Sequence, residues 1–130
     1  MAFETVQLYA TRLLNRDADY IDYLKLRNDD LHIVALEEEL THCLIIQGDE
    51  KIHEVKITGI CDRIDRSKNL FRIVDYKSSS GDKDVFLFES MEQLFKGEKH
   101  SKMFQLFIYA WLCWKNKLCK TNEIFPCIIP

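Results

Sequence analysis

Nothing in the 130-residue chain approaches the about 18 consecutive apolar residues that a membrane-crossing helix needs. A membrane role is therefore not expected. The N-terminus has no basic stretch followed by an apolar one, so a secretory signal is missing too. Excess positive charge is absent: the net charge is −3 and the pI near 5.8. That argues against a generic nucleic-acid binder, which is usually basic. The five cysteines are odd in number and irregularly spaced, with no Cys-x-x-Cys pair, so they outline no disulfide framework. A reducing, cytoplasmic setting fits them. The four histidines, His32, His42, His53 and His100, are scattered and suggest no zinc site.

What is present is ordinary globular material, 47% hydrophobic and 30% charged, long enough for one domain with a modest core. Phe3, Val6, Leu8, Tyr9, Leu13 and Leu14 fall at helical spacing. Asn15-Arg16-Asp17 reads as a break, and Tyr20, Ile21, Tyr23, Leu24 and Leu26 as a second helix. Asn28-Asp29-Asp30 is a turn. Residues 32–46 are predicted as a strand with Val34, Leu36, Glu38, Leu40, His42 and Leu44 on one face. Three consecutive glutamates, Glu37 to Glu39, pull toward helix, but their aliphatic and β-branched neighbours favour strand. Gln47-Gly48-Asp49-Glu50 is a hairpin turn.

The chain is organised around residues 59–77. One strand carries Val55, Ile57, Ile60 and Ile64. Ser67-Lys68-Asn69 turns it, and a second strand carries Leu70, Phe71, Ile73 and Val74. Asp75 and Lys77, two apart, share one face of the second strand, and Asp62 comes from its neighbour. Two carboxylates and a lysine converging on one point make a site for a hard divalent ion, which takes carboxylates, waters and substrate phosphates. Taken singly, the same residues read as a surface ion pair and turn-flank charge. Beyond them, Ser78 to Asp84 is a loop by composition, with a linker role or a phosphate-contacting role equally open. Asp84 caps a helix over residues 85–96, and Ser101 caps another over residues 102–117 that sets Gln105 and Tyr109 one turn apart. Phe125 to Ile129 is a final strand.

Gly59-Ile-Cys-Asp62, Asp75-Tyr-Lys77-Ser78 and Gln105-Leu-Phe-Ile-Tyr109 stand in an order and spacing that resemble the PD-(D/E)xK nuclease superfamily, and within it the RecB-like nuclease domain. The resemblance covers roughly residues 33–129. It implies an α/β fold with a restriction-endonuclease-like core, a small mixed sheet flanked by helices. It implies one nuclease-like domain over residues 1–130, with a helical part at 1–30 and the core at 31–130. The chain is then read as a fragment of a longer protein or a short natural variant.

The same resemblance implies a Mg²⁺- or Mn²⁺-dependent deoxyribonuclease acting in DNA repair or recombination, attached to a helicase domain or subunit. Asp62, Asp75 and the Tyr76 carbonyl become metal ligands. Lys77 holds the attacking water or stabilises negative charge, and Gln105 bonds a phosphate, a metal-bound water or the lysine. Tyr109 and Ser78 become phosphate or base contacts. Glu37 aligns with a glutamate that sits near the metal in relatives, although a solvated edge-strand carboxylate explains it equally well. The cysteine spacing is not that of the iron–sulfur cluster some relatives hold, so no cluster is expected. A histidine thought to assist metal binding in relatives has no counterpart before His32. Two alternatives stay open: a non-catalytic DNA-binding or assembly module that keeps the fold, and a nuclease for RNA or for phage or mobile-element DNA.

Overall fold

A computed structural model describes residues 2–68, 70–76, 90, 92, 95, 100–119 and 124–129. In chain order these form α1 (Ala2–Lys25), β1 (His32–Gln47), β2 (Ile52–Ser67), β3 (Leu70–Tyr76), α2 (Ser101–Lys115) and β4 (Ile124–Ile129). The strands make one sheet in the order β1-β2-β3-β4. β1, β2 and β3 are a meander of antiparallel neighbours, and β4 joins β3 in parallel. A parallel neighbour cannot be reached by a hairpin and needs a crossover, and α2 lies within it. This is the mixed sheet flanked by helices of a restriction-endonuclease-like α/β fold.

Successive side chains of a strand point to opposite faces, and β3 shows the consequence. Phe71 and Ile73 join Leu40, Cys61 and Ile64 in a core with Leu106, Tyr109, Leu112 and Cys113 of α2. Arg72 points the other way, toward Asp17 of α1. The two helices thus cover opposite faces of the sheet. α2 buries residues at intervals of three and four, and partly buries Met103, Ile108, Ala110 and Trp111 besides, which accounts for its apolar character on most sides.

Several expectations change. α1 is one continuous helix, with no break at Asn15-Arg16-Asp17. Asn and Asp are only mildly unfavourable inside a helix, by at most about 0.7 kcal/mol each, and Asp17 gains an ionic partner there. Ser101 is the first helical residue of α2 and not its cap: His100 holds the cap position and makes no side-chain cap bond. Ser67 ends β2, so the turn is shorter than predicted. In β1 the simple alternation fails. The register slips between Ile33 and Ala35, and Glu37 has φ 48. Ala35 and Leu40 both pack on the core, while Leu36 is 60% exposed. The strand over residues 32–46, the Gly48 turn (closed by Gly48 N–H to the Lys51 carbonyl, 2.9 Å) and the final strand stand as expected. The predicted helix over residues 85–96 and the loop from Ser78 to Asp84 fall outside the described residues.

Candidate functional site

β2 and β3 pair from Ser67↔Leu70 up to Arg63↔Val74. One step further along that register Asp62 stands opposite Asp75. β1 pairs Leu36↔Arg63 and Glu38↔Cys61, which puts Glu37 opposite Asp62 on the other side. Glu37, Asp62 and Asp75 therefore occupy one row across three strands, and neither Glu37–Asp62 nor Asp62–Asp75 is part of the regular ladder. The row also marks a change of face in β2. Cys61 is in the core on the α2 side, and Arg63, two residues on, reaches α1. A regular strand would leave both on one face, so the pleat switches at Asp62.

The Asp62 carboxylate takes up the backbone group that the ladder leaves over. Tyr76 N–H donates to its Oδ2 at 2.7 Å. That bond holds Asp62 against the end of β3, one peptide unit from Asp75. Asp75 is buried at 4% exposed. Glu37 is exposed on its side of the row. Among the described residues no three carboxylate, imidazole or thiol groups converge as a cage. Two carboxylates and a neighbouring carbonyl are nonetheless an ordinary all-oxygen donor set for Mg²⁺ or Mn²⁺, which keep waters and substrate phosphates as further ligands. The donor chemistry of Asp62, Asp75 and Tyr76 fits such an ion. Lys77 and Ser78 lie outside the described residues.

On the α2 side, Nε2 of Gln105 donates to the Tyr109 hydroxyl at 2.6 Å, so the two are joined one helical turn apart. The Tyr109 ring lies on Gly59. A Cβ there would sit 2.6 Å from Cε1 of Tyr109, and Leu112 is also within contact. Only glycine lets α2 approach β2 this closely. The glycine and the tyrosine of the two sequence motifs are thus two sides of one contact. Tyr109 is 8% exposed, which leaves its hydroxyl, and not its ring face, as its polar contribution.

The opposite side of the row carries a network that sequence reasoning did not anticipate. Both Nη atoms of Arg63 donate to the Asp17 carboxylate, at 2.5 and 2.7 Å. Arg72 donates to both oxygens of buried Asp65, through Nε at 2.9 Å and Nη2 at 2.8 Å. Nε of Arg63 lies 3.1 Å from Asp65 Oδ2, close but not aligned as a hydrogen bond. Arg72 Nη2 reaches Asp17 at 3.6 Å. Two guanidinium groups face two carboxylates, which is what makes their burial tolerable. The bond from Arg63 holds the Asp17 pKa below its ordinary value, and the same bond raises that of Arg63. Burial works against the charge of Arg72, but its bonds to Asp65 prevail and its pKa rises. Arg63 is committed to this network. Arg63 and Asp65 are near neighbours in the chain, but the partner Asp17, 46 residues from Arg63, carries no local signal.

Three cysteines that look scattered in the sequence also meet. Cys61, Cys113 and Cys119 lie in one core cluster, and the neighbouring thiols together with burial push the Cys113 pKa up. All three are free and buried.

The family model of the PD-(D/E)XK nuclease superfamily matches residues 4–125. The chain belongs to that superfamily. The match takes in α1, which the sequence motifs alone left unassigned, as well as the sheet and α2. PD-(D/E)XK proteins are generally nucleases that use divalent metals, so nuclease chemistry and a divalent ion are what membership supports here. No curated protein and no solved structure matches the chain. No helix among the described residues is long and apolar enough to cross a membrane.

Proposed function

We propose that this PD-(D/E)XK protein is a Mg²⁺- or Mn²⁺-dependent deoxyribonuclease of the RecB-like kind. It acts in the cytoplasm in DNA repair or recombination, beside a helicase domain or subunit. The observation that carries the nuclease reading is the bond from Tyr76 N–H to Asp62, which sets the two motif carboxylates at the end of β3. Asp62, Asp75 and the Tyr76 carbonyl would hold the ion, which when bound supplies an acidified water and polarises the phosphate. Lys77, following Tyr76 in the chain, holds the attacking oxygen and offsets the negative charge that develops on the phosphoryl group. Gln105, oriented by Tyr109, presents its amide to the phosphate or to a metal-bound water. Ser78 contacts the DNA backbone, and Glu37 approaches from β1. The RecB-like assignment rests on the Gly59/Asp62, Asp75/Lys77 and Gln105/Tyr109 motifs together. The acidic net charge fits a protein that receives its local positive charge from the ion.

Cleavage of single- and double-stranded DNA with Mg²⁺ or Mn²⁺ tests this, comparing the wild type with Asp75→Ala and Lys77→Ala. Loss of cleavage in both variants, with the fold retained, is the expected result. Cleavage surviving both would place the chemistry elsewhere. Neither cleavage nor Mn²⁺ binding by the wild type would leave a non-catalytic DNA-binding or assembly module as the better reading.

A further inference from the structure

We propose that Asp17 of α1 is a positioning residue for the Asp62–Asp75 row and acts through Arg63; its metal-binding consequence rests on the nuclease reading above. α1 has little apolar attachment. Among its described side chains only Leu24 is buried, while Phe3, Val6, Leu8 and Leu14 are exposed. Its firm polar attachment is the two-bonded fork between Asp17 and Arg63. A planar guanidinium held at both ends by a carboxylate has a fixed orientation as well as a fixed place.

That orientation matters because of what Arg63 touches. Arg63 follows Asp62 in the chain, and its guanidinium carbon lies 5.5 Å from the centroid of the Tyr76 ring. Tyr76 follows Asp75 and donates its N–H to Asp62. One guanidinium therefore braces the residues next to both carboxylates, at the point where the regular β2–β3 ladder has ended. Pairing with β4 still holds Asp75 and Tyr76 on their far side, at Ile128 and Ile129, but no β2–β3 ladder pair ties Asp62 to them. The placement of Asp62 against β3 comes from the Asp62–Tyr76 bond and from the side chain that covers Tyr76.

Removing the Asp17 charge leaves Arg63 with Asp65 as its carboxylate neighbour. Asp65 is already taken at both oxygens by Arg72. The guanidinium must then compete for it or move, and either result withdraws it from Tyr76. The Asp62–Tyr76 bond should open more often, and the metal ligands should lose their fixed spacing. Groups that orient ligands from behind typically govern metal affinity by about 10- to 100-fold.

Amide hydrogen exchange at Tyr76, read by NMR alongside Mn²⁺ titration, tests this in the full chain. In Asp17→Asn, Tyr76 exchange should rise at least severalfold while the amides of Glu39 and Leu40 in β1 keep wild-type rates. Mn²⁺ affinity should fall about tenfold or more, and Asp17→Glu should recover much of both. Combining Asp17→Asn with Arg63→Ala should add nothing to the Arg63→Ala effect, since both act through one group. Unchanged Tyr76 exchange in folded Asp17→Asn overturns the proposal, as does an effect that persists in full in the Arg63→Ala background. Should Asp17→Asn not fold, Arg63→Lys, which keeps the charge and loses the fork, gives the same reading at Tyr76. A wild type that binds no Mn²⁺ and cleaves nothing overturns the nuclease reading and the metal consequence. Tyr76 exchange still decides, separately, whether Asp17 positions the row.

Discussion

The Tyr76 amide donates to the Asp62 carboxylate at 2.7 Å, directly across from Asp75. Asp62 therefore accepts this bond, and in the proposed nuclease it would separately offer charge to an ion. Asp62→Asn keeps an amide oxygen for the bond and loses the charge. It should change folding stability by no more than about 1 kcal/mol and abolish Mn²⁺ binding. Asp62→Ala also strips Tyr76 N–H of its acceptor and should cost about 1–3 kcal/mol. Urea unfolding and Mn²⁺ titration of the two variants check this. Equal stability of the Asn and Ala forms would mean that the bond contributes nothing.

The contact between Gly59 and the Tyr109 ring gives a second test. Glycine to alanine in a strand is ordinarily favourable, by roughly 0.5–1 kcal/mol. Here the new Cβ would stand 2.6 Å from a ring carbon, and crowding a packed core typically costs about 1–3 kcal/mol. Gly59→Ala should therefore destabilise the fold and, by displacing Tyr109, weaken its bond to Gln105. In a Tyr109→Ala background the same change should be harmless or stabilising. Thermal melts of the four proteins in that cycle decide it, and additive effects would show that the ring is not what glycine makes room for.

The site motifs were legible because each is local. Gly59 and Asp62, and Gln105 and Tyr109, lie within a few residues of each other, and the helical period sets Gln105 and Tyr109 one turn apart as the structure has them. The sheet meander and β4 were legible for the same reason, from β-branched runs and a glycine turn. The change of face at Asp62 was not; it falls on the same row as Glu37, whose φ of 48 on the neighbouring strand is a conformation that glutamate does not advertise. The continuity of α1 was hidden by Asn15 and Asp17, residues that often end helices. Asp17 stays inside because Arg63 gives its carboxylate a partner, a tertiary effect outweighing a weak local preference.

The pKa shift of Asp17 predicts how the fold responds to acid. Arg63 lowers the folded-state pKa of Asp17 below the ordinary 3.8. The unfolded chain thus takes up the proton at higher pH than the folded one does. The stabilisation is fully present above about pH 4, and it is lost as the pH falls through the depressed folded value. Wild-type stability should therefore drop more steeply below pH 4 than that of Asp17→Asn, with the two curves running parallel above it. Denaturant titrations from pH 6 down to pH 2.5 measure the slopes. Equal slopes below pH 4 would mean that Asp17 and Arg63 are not paired in solution.

The thiols should react in an order set by burial. Cys43 is exposed on β1, whereas Cys61, Cys113 and Cys119 are buried and Cys127 is partly so. The thiolate is the reactive form. A hydrogen bond to Glu54, with a smaller contribution from burial and from the charge of Glu54, pushes the Cys43 thiol above its ordinary value of 9.0. An aromatic disulfide reagent should consequently label Cys43 first but sluggishly at neutral pH, and Glu54→Gln should speed it. Cys61, Cys113 and Cys119 should stay unlabelled until the fold opens, because all three are buried between α2 and the sheet. Mass spectrometry of timed samples assigns each thiol. Labelling of Cys113 in the folded protein at a rate matching Cys43 would mean that α2 does not close over β2, and the approach of Tyr109 to Gly59 would fall with it.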